Sequence, residues 1–283
     1  MVRTTGSLAI TLMLAGTVAP VNAAELQQST AGAWQAYVRE ADTRMQARLE
    51  TGKPFLWMDE AANRSKRVRN GEIVVAPLVG RGTETVPNGL IHDWIGAAFI
   101  PNASIESVLG VVRDYDRYKD IFKPVVTDSR SLNTGMSDQE FSMVWQKHVL
   151  FVNAAMRGRY RAHDVMIDSH RGYSTVDTVT LQEIEDYGRP GEHILPPDTG
   201  AGLIWRIHSI SRYEERDGGV YLEIEAIALS RDIPSSLRWL VSPVVNHLSV
   251  KSLMVTLQQT REAVDSQRVA LERLVATERK GLN

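Results

Sequence analysis

The sequence predicts an α+β protein: a curved antiparallel sheet closed by one long C-terminal helix, with a helical extension at the N-terminus. Three observations predict it. From Val125 to Ser230 strand patterns follow one another without helical crossovers, so the strands must pair antiparallel. The last two strands are joined by Glu214-Glu215-Arg216-Asp217-Gly218-Gly219 and lead through Arg231-Asp232-Ile233-Pro234 into a long apolar helical pattern. Near the N-terminus, Trp34, Val38, Ala41, Met45 and Leu49 share one helix face, which needs a surface to cover.

The first element is a targeting signal. Leu8 to Ala19 form a short apolar run behind Arg3, broken by Pro20 and followed by Val21-Asn22-Ala23, whose small side chains suit a signal peptidase. That run is well under the ~20 residues needed to span a bilayer. The expectation is a cleaved signal over residues 1–23 and a periplasmic or secreted protein. With no cysteine among 283 residues, disulfides, thiolate chemistry, cysteine-ligated zinc and a lipoprotein anchor are all excluded. The exported chain must be held by its core. Without residues 1–23, which contain one basic and no acidic residue, 31 Lys and Arg face 34 Asp and Glu, a net charge of −3. No basic surface for nucleic acid is implied.

Residues 24–88 are expected to form an extension: the amphipathic helix from Ala33 to Leu49, ended by Thr51-Gly52-Lys53-Pro54, then the apolar knot Phe55-Leu56-Trp57-Met58. A basic run from Arg64 to Arg69 follows, as a solvated face or, on the sharper reading, a transient contact with lipid headgroups. Glu72 to Leu78 is a strand that Pro77 assigns to an edge.

The main domain, residues 89–265, opens with a strand from Gly89 to Ile100, stopped by Pro101-Asn102. Asn102 or Ser104 can cap a helix whose buried face is Ile105, Leu109, Val112, Tyr115, Tyr118 and Phe122, and Pro124 ends it. Strands follow at Val125–Leu132, Glu140–His148, Phe151–His163, Tyr173–Ile184, Leu203–Tyr213 and Val220–Ser230. Along Leu203–Tyr213 a period of two puts Leu203, Trp205, Ile207, Ser209, Ser211 and Tyr213 on a dry face, with Arg206, His208 and Arg212 on a wet one. With Asp217-Gly218 as a two-residue hairpin loop, Arg212 stands opposite Glu223 on the wet side and Tyr213 opposite Leu222 on the dry side. The dry row of the second strand, Val220, Leu222, Ile224, Ala226 and Ala228, shrinks to alanine where the first supplies Trp205 and Ile207. Such a step either leaves room for a guest or interlocks in a filled core.

In Phe151–His163 the residues Arg157, Arg159, Arg161 and His163 oppose Met156, Gly158, Tyr160 and Ala162. Charged outer faces predict a sheet that is not sandwiched, its inner face covered only by the helix after Pro234. There Ser235 caps a turn with Leu237, Trp239 and Leu240, and Ser242-Pro243 fits a second start or a kink. Val244, Leu248, Val255 and Leu257 continue the pattern, and residues 266–283, with Leu271 and Leu274, form an amphipathic tail expected to pack on the extension. A space between sheet and helix would be lined by Met143, Trp145, Met156, Tyr160, Trp205, Ile207, Ile224, Ala226 and Ala228 from the strands. Trp239, Val244, His247, Leu248 and Lys251 would line it from the helix.

Two segments carry a resemblance. Arg113-Asp114-Tyr115-Asp116-Arg117-Tyr118 before Pro124-Val125-Val126, and Leu229-Ser230-Arg231-Asp232-Ile233-Pro234 before a helix with Ser252-Leu253 and Thr256-Leu257, resemble the START-like (SRPBCC) helix-grip superfamily of lipid-transfer domains, coenzyme Q-binding proteins and polyketide cyclases. The resemblance covers about residues 89–265. It implies a sheet wrapped around the C-terminal helix, leaving a tunnel for an apolar guest. Enclosing ten methylenes is worth roughly 8 kcal/mol against water, at about 0.8 kcal/mol each, and almost nothing against a bilayer.

Motifs for catalysis are missing from this sequence. Its seven histidines are scattered, without a His-Glu-x-x-His spacing. Asp164, Asp168 and His170 cluster at an expected turn, but one loop supplies no closed metal shell. No Gly-x-Ser-x-Gly elbow occurs, and Gly200-Ala201-Gly202 lacks the rest of a phosphate loop. His247, Lys251 and Asp177 could bind a headgroup or do acid–base work if they point inward, and otherwise lie in water at the rim. Glu223 and Glu225 share a face with Arg212 and are expected to be ladder pairs. No catalytic residue, metal or cofactor is assigned. The expected function is binding or transfer of a lipid or isoprenoid in the cell envelope. A cyclase or hydratase working on an apolar substrate in the same cavity is the alternative, and a scaffold module with a filled cavity the third reading.

Overall fold

The computed structural model describes residues 24–135, 137–149, 152–232 and 235–281, with only the backbone course described for 148–149, 152–153, 235–245 and 271–281. The expected signal at 1–23 lies outside the described residues. In chain order the elements are β1 (Ala24–Glu25), α1 (Gln28–Ala47), α2 (Ala62–Arg69), β2 (Val74–Pro77), β3 (Thr83–Val86), β4 (Gly89–Pro101), α3 (Ile105–Val112), α4 (Tyr118–Ile121), β5 (Val126–Thr134), β6 (Asp138–Val149), β7 (Val152–Met166), β8 (Arg171–Glu185), β9 (His193–Ile194), β10 (Thr199–Gly200), β11 (Arg206–Arg216), β12 (Gly219–Arg231) and α5 (Ser235–Gly281). One antiparallel sheet runs β2-β4-β12-β11-β8-β7-β6-β5, with β3 also on β4 and β9 on β8, while β1 pairs with β10. A strand, two short helices, a run of antiparallel strands and one long helix make the expected helix-grip arrangement.

Local chemistry sets the register. Asp217 and Gly218 both take positive φ (57° and 79°), the backbone of a two-residue hairpin turn that follows strand twist. Arg212 accordingly faces Glu223, and Tyr213 faces Leu222. Ser104 caps α3 by accepting from Ser107 N–H, with the reciprocal Ser107 bond completing a capping box.

On the inner face α5 lies across β4, β2 and β12 and against α3. Leu253, Leu257 and Val264 bury its apolar stripe among Trp94, Ala98, Ile100, Leu222 and the α3 residues Ile105 and Val108. The helix comes this close because β4 carries glycine at the crossing: a Cβ on Gly96 would sit 2.8 Å from Leu257 Cδ1 and 3.1 Å from Leu253 Cγ. α5 is one helix through Pro243, and Gln267 in the expected tail lies over Gly110 of α3.

The outer face departs from expectation. His208, Arg212, Glu223 and Glu225, placed on a wet face by parity, are at most 1 % exposed. Trp34, Tyr37, Ala41 and Met45 of α1 and the knot Phe55–Met58 cover them, packing against Ile91, Ile95, Ile210, Tyr221, Ile227 and Leu229. The charged row is buried because it is neutralised in place. Arg212 Nη2 lies 2.6 Å from Glu225 Oε2, and the Glu223 carboxylate accepts from the backbone N–H groups of Trp57 (2.8 Å) and Met58 (2.7 Å). Arg44 bridges Asp93 (3.4 Å) and Glu225 (3.2 Å), and Tyr37 Oη donates to Asp93 at 2.7 Å. His208 sits between Asp177 (2.8 Å) and Asp42 (3.3 Å). These are buried charge pairs of an internal layer, where the sequence suggested weak surface ladder pairs. Further along the sheet, where this cover ends, the same alternation behaves as expected: Arg157, Arg159, Arg161 and His163 on β7 are exposed.

Two outcomes follow from this layer. Arg212→Met removes the buried guanidinium beside Glu223 and Glu225, leaving Glu225 only the half-exposed Arg44, and should cost about 3–5 kcal/mol in denaturant unfolding, the usual loss when one partner of a buried pair is removed. A loss under about 1 kcal/mol would show that the outer face is open to water. The second concerns pH. Burial pushes Asp93 and Glu223 up to about 7, with the Glu225 charge adding to the effect at Asp93. Burial opposes protonation of His208, but hydrogen bonds and charges from Asp177 and Asp42 outweigh it and push the imidazole up to about 9. All three hold protons more tightly folded than unfolded, so stability declines as pH rises through about 7 and again through about 9. The melting temperature should fall steadily from pH 6 to pH 9, and Asp93→Asn should flatten the first part of that fall.

Candidate functional site

The inner face has the opposite character. Across the middle of the sheet its rows are Met143, Trp145 and Lys147 on β6, Met156, Gly158 and Tyr160 on β7, Val176 and Thr178 on β8, Ile207, Ser209 and Ser211 on β11, and Ile224, Ala226 and Ala228 on β12. One end is closed by the α3–α5 cluster around Leu222 and Trp94. The other is closed by aromatic rings: Tyr115 stacks on Phe141 with centroids 4.1 Å apart, and Phe141 on Tyr160 at 5.2 Å. Between these plugs Met143, Trp145, Val176, Ile207, Ser209, Ser211, Ile224, Ala226 and Ala228 remain only half-buried, whereas their outer-row neighbours His208, Ile210, Glu225 and Ile227 are at most 1 % exposed. The dry row borders open space; the wet row is core.

Most expected lining residues come together here: Met143, Trp145, Met156, Tyr160, Ile207, Ile224, Ala226 and Ala228 all lie on inner rows, and Leu248 is half-buried on α5. Met156 and Tyr160 are fully buried within the aromatic end, with Trp145 Nε1 donating to Tyr160 Oη at 3.0 Å. Three placements differ. Trp205 precedes the regular pleat of β11, which starts at Arg206, and its ring packs by Gly202 into the outer cluster. His247 and Lys251 are exposed on α5, one turn apart on a face turned from the buried stripe of Leu253 and Leu257. The side chains of Trp239 and Val244 lie outside the described residues.

The polar candidates separate as well. Asp177 points outward to His208. Asp164 lies on the inner side, where its carboxylate accepts from Arg113 Nε (2.8 Å), Gln139 Nε2 (3.2 Å) and the Ser174 hydroxyl. Asp168 binds its own turn, accepting from His170 N–H (2.8 Å) and Arg171 Nε (2.9 Å). The three residues of the expected turn cluster therefore do not converge on one point. Glu183 accepts from the N–H groups of Ala201 (2.7 Å) and Gly202 (2.9 Å), which holds the loop before β11 across the sheet end.

Chemically this surface suits binding. The inner-row histidine of β4, His92, has Nε2 2.9 Å from Ser230 Oγ, and burial pushes its pKa down to about 4. Its Nδ1 has no partner among the described residues, so no carboxylate orients the ring as an activated dyad requires. Lys147 was missed by the sequence reasoning, although continuing the period of two from Phe141, Met143 and Trp145 reaches it. Its ammonium meets Ser252 Oγ on α5, and burial lowers its pKa.

At the level of sequence, no family model and no curated protein matches this chain. Among solved structures it is similar to a STAR-related lipid transfer protein from Xanthomonas axonopodis, at 18 % identity over 68 % of this chain and 98 % of that one, with a TM-score of 0.42. Human STARD10 aligns at 9 % identity over 74 % of this chain and 82 % of that one, TM-score 0.42. The Zhui aromatase/cyclase from Streptomyces sp. R1128 aligns at 16 % identity over 62 % and 96 %, TM-score 0.39.

Ala228 tests the open row. Overpacking a filled core costs about 1–3 kcal/mol, while a ring placed in open space costs the fold little. Ala228→Phe should melt within a few degrees of wild type and lose uptake of a fluorescent fatty acid, whereas Lys251→Gln, on the exposed face of α5, leaves uptake unchanged. Unfolding by Ala228→Phe would show that the row is packed.

Proposed function

We propose that this chain is exported and that it carries a hydrophobic small molecule, a lipid or isoprenoid, in the cell envelope. The observation that carries this reading is the inversion of the sheet: a fully buried charged outer row behind an apolar, small-residue inner row that remains half-open beneath α5. An apolar slot binds an acyl or prenyl chain by removing it from water at about 0.8 kcal/mol per methylene, yet returns it to a bilayer at little cost. That balance suits a carrier. Exchange then requires transient contact with a membrane, and no helix among the described residues is long and apolar enough to cross one. Export rests on the signal pattern ending at Val21-Asn22-Ala23, and cleavage there leaves β1 intact. The rival, a cyclase or hydratase in the same space, needs an activated acid–base pair facing the guest, and among the described residues neither His92, at Ser230, nor Lys147, at Ser252, has a carboxylate partner.

Native mass spectrometry of protein purified from its own envelope tests both parts. The expected spectrum shows a chain starting at Ala24 with an apolar molecule of several hundred daltons attached. An intact Met1 on cytosolic protein would overturn export; an envelope protein recovered empty would overturn the carrier and revive the enzyme and the filled scaffold module.

A further inference from the structure

Charge on the inner face is distributed unevenly. Of the ionisable side chains on the inner rows, the acids are already satisfied. Asp164 accepts from Arg113 and Gln139, Glu183 from the backbone of Ala201 and Gly202, and Glu215 from the Ile105 N–H that starts α3, at 2.7 Å. His92 is neutral against Ser230. Lys147 differs. It extends from the inner row of β6 beside Trp145 to Ser252 on α5, and that hydroxyl is itself committed to the Leu248 carbonyl. No carboxylate pairs with Lys147 among the described residues, and burial is the sole cause of its lowered pKa.

An ammonium partly withdrawn from water without a counter-charge carries a desolvation cost, and removing it by substitution would suit an apolar wall better. Its three N–H donors are only partly used by Ser252. The surfaces beside it are Met143 and Trp145, and the half-open inner face continues diagonally to Ala226 and Ala228, four strand spacings or about 19 Å across the sheet and at least a further six residues, about 20 Å, along it. A long chain lying diagonally over the strands would bring one end to Lys147.

We propose that the guest carries an anionic head, a carboxylate or a phosphate, and that Lys147 binds it where β6 meets α5, with Ser252 beside it. The proposal rests on the carrier reading above and adds the chemical class of the ligand. The apolar row sets chain length; Lys147 sets which end enters and which molecules are retained.

The test compares palmitate, lysophosphatidic acid and hexadecanol, each below its micelle concentration, by displacement of a fluorescent probe from the mature chain and from Lys147→Met and Lys147→Arg. Wild type should bind at least one anionic amphiphile about tenfold or more tighter than hexadecanol, and the tighter of the two identifies carboxylate or phosphate as the head. Lys147→Met should erase that preference while binding hexadecanol within about twofold of wild type; Lys147→Arg should restore most of it. Hexadecanol bound as tightly as both anions by wild type would overturn the anionic head while leaving the carrier reading intact. An unchanged preference in Lys147→Met would overturn the role of this lysine. Failure of all three amphiphiles to displace the probe would overturn the carrier reading and the proposal with it. Circular dichroism melts keep a folding defect separate from a binding defect, and Lys147→Met is expected to melt no lower than wild type.

Discussion

Arg212 and the carboxylates around it are the constraint on which the rest of the fold depends. β11 and β12 present a charged row to one side, and that row lies under α1 and Phe55–Met58 at essentially zero exposure. Apolar cover can settle over such a row only if each charge has a partner there. Glu225 has Arg212 and Arg44, Glu223 has two backbone N–H groups, and Asp93 has Tyr37 and Arg44. Each partner comes from the segment that does the covering or from the adjacent strand, so docking of the N-terminal layer and neutralisation of the sheet are one event. Such pairs are costly to desolvate and costlier to break, which ties the layer to a single arrangement.

Closing the outer face changes what the inner face must supply. A sheet with one solvated face draws its stability from the other, and a gap there is expensive. Here Trp34, Tyr37, Phe55 and Trp57 bury large apolar surfaces on the outer side. The contact of Leu253 and Leu257 with Gly96 and the aromatic stack at Tyr115 and Phe141 anchor the two ends of the inner side. Ile207, Ser209, Ile224, Ala226 and Ala228 can stay half-open between them. Stability comes mainly from one face, and the other is left half-open.

The same division explains the electrostatics. Groups that shape the protein are matched within it: Glu183 clamps a loop, Glu215 holds the start of α3, and Asp164 ties Arg113 to the sheet. Among the described residues Lys147 has only a hydroxyl as partner. A cation with unused donors beside an open apolar row is poorly explained by folding alone, since methionine would pack there at lower desolvation cost. It is well explained by a guest that brings the missing charge.

Much of this architecture was legible in the sequence. The succession of strands along the chain, the hairpin register through Asp217-Gly218, the amphipathic helix around Trp34 and the long closing helix all follow from local periodicity and turn chemistry, which act over a few residues, whereas the pairing of β4 with β12 does not. The inner-face placement of Met143, Ile207, Ala226 and Ala228 was legible for the same reason, because a period of two assigns faces. Periodicity could not say which face meets water. Arg212 and Arg159 have the same alternation, yet one is core and the other exposed, because α1 covers β11 and ends short of the outer face of β7. Trp205 left its expected row because the pleat begins one residue later, and His247 and Lys251 turned outward because the angular position of α5 was settled by Gly96. Those outcomes depend on where distant segments dock. That is decided by long-range packing and charge pairing, which no window of sequence contains.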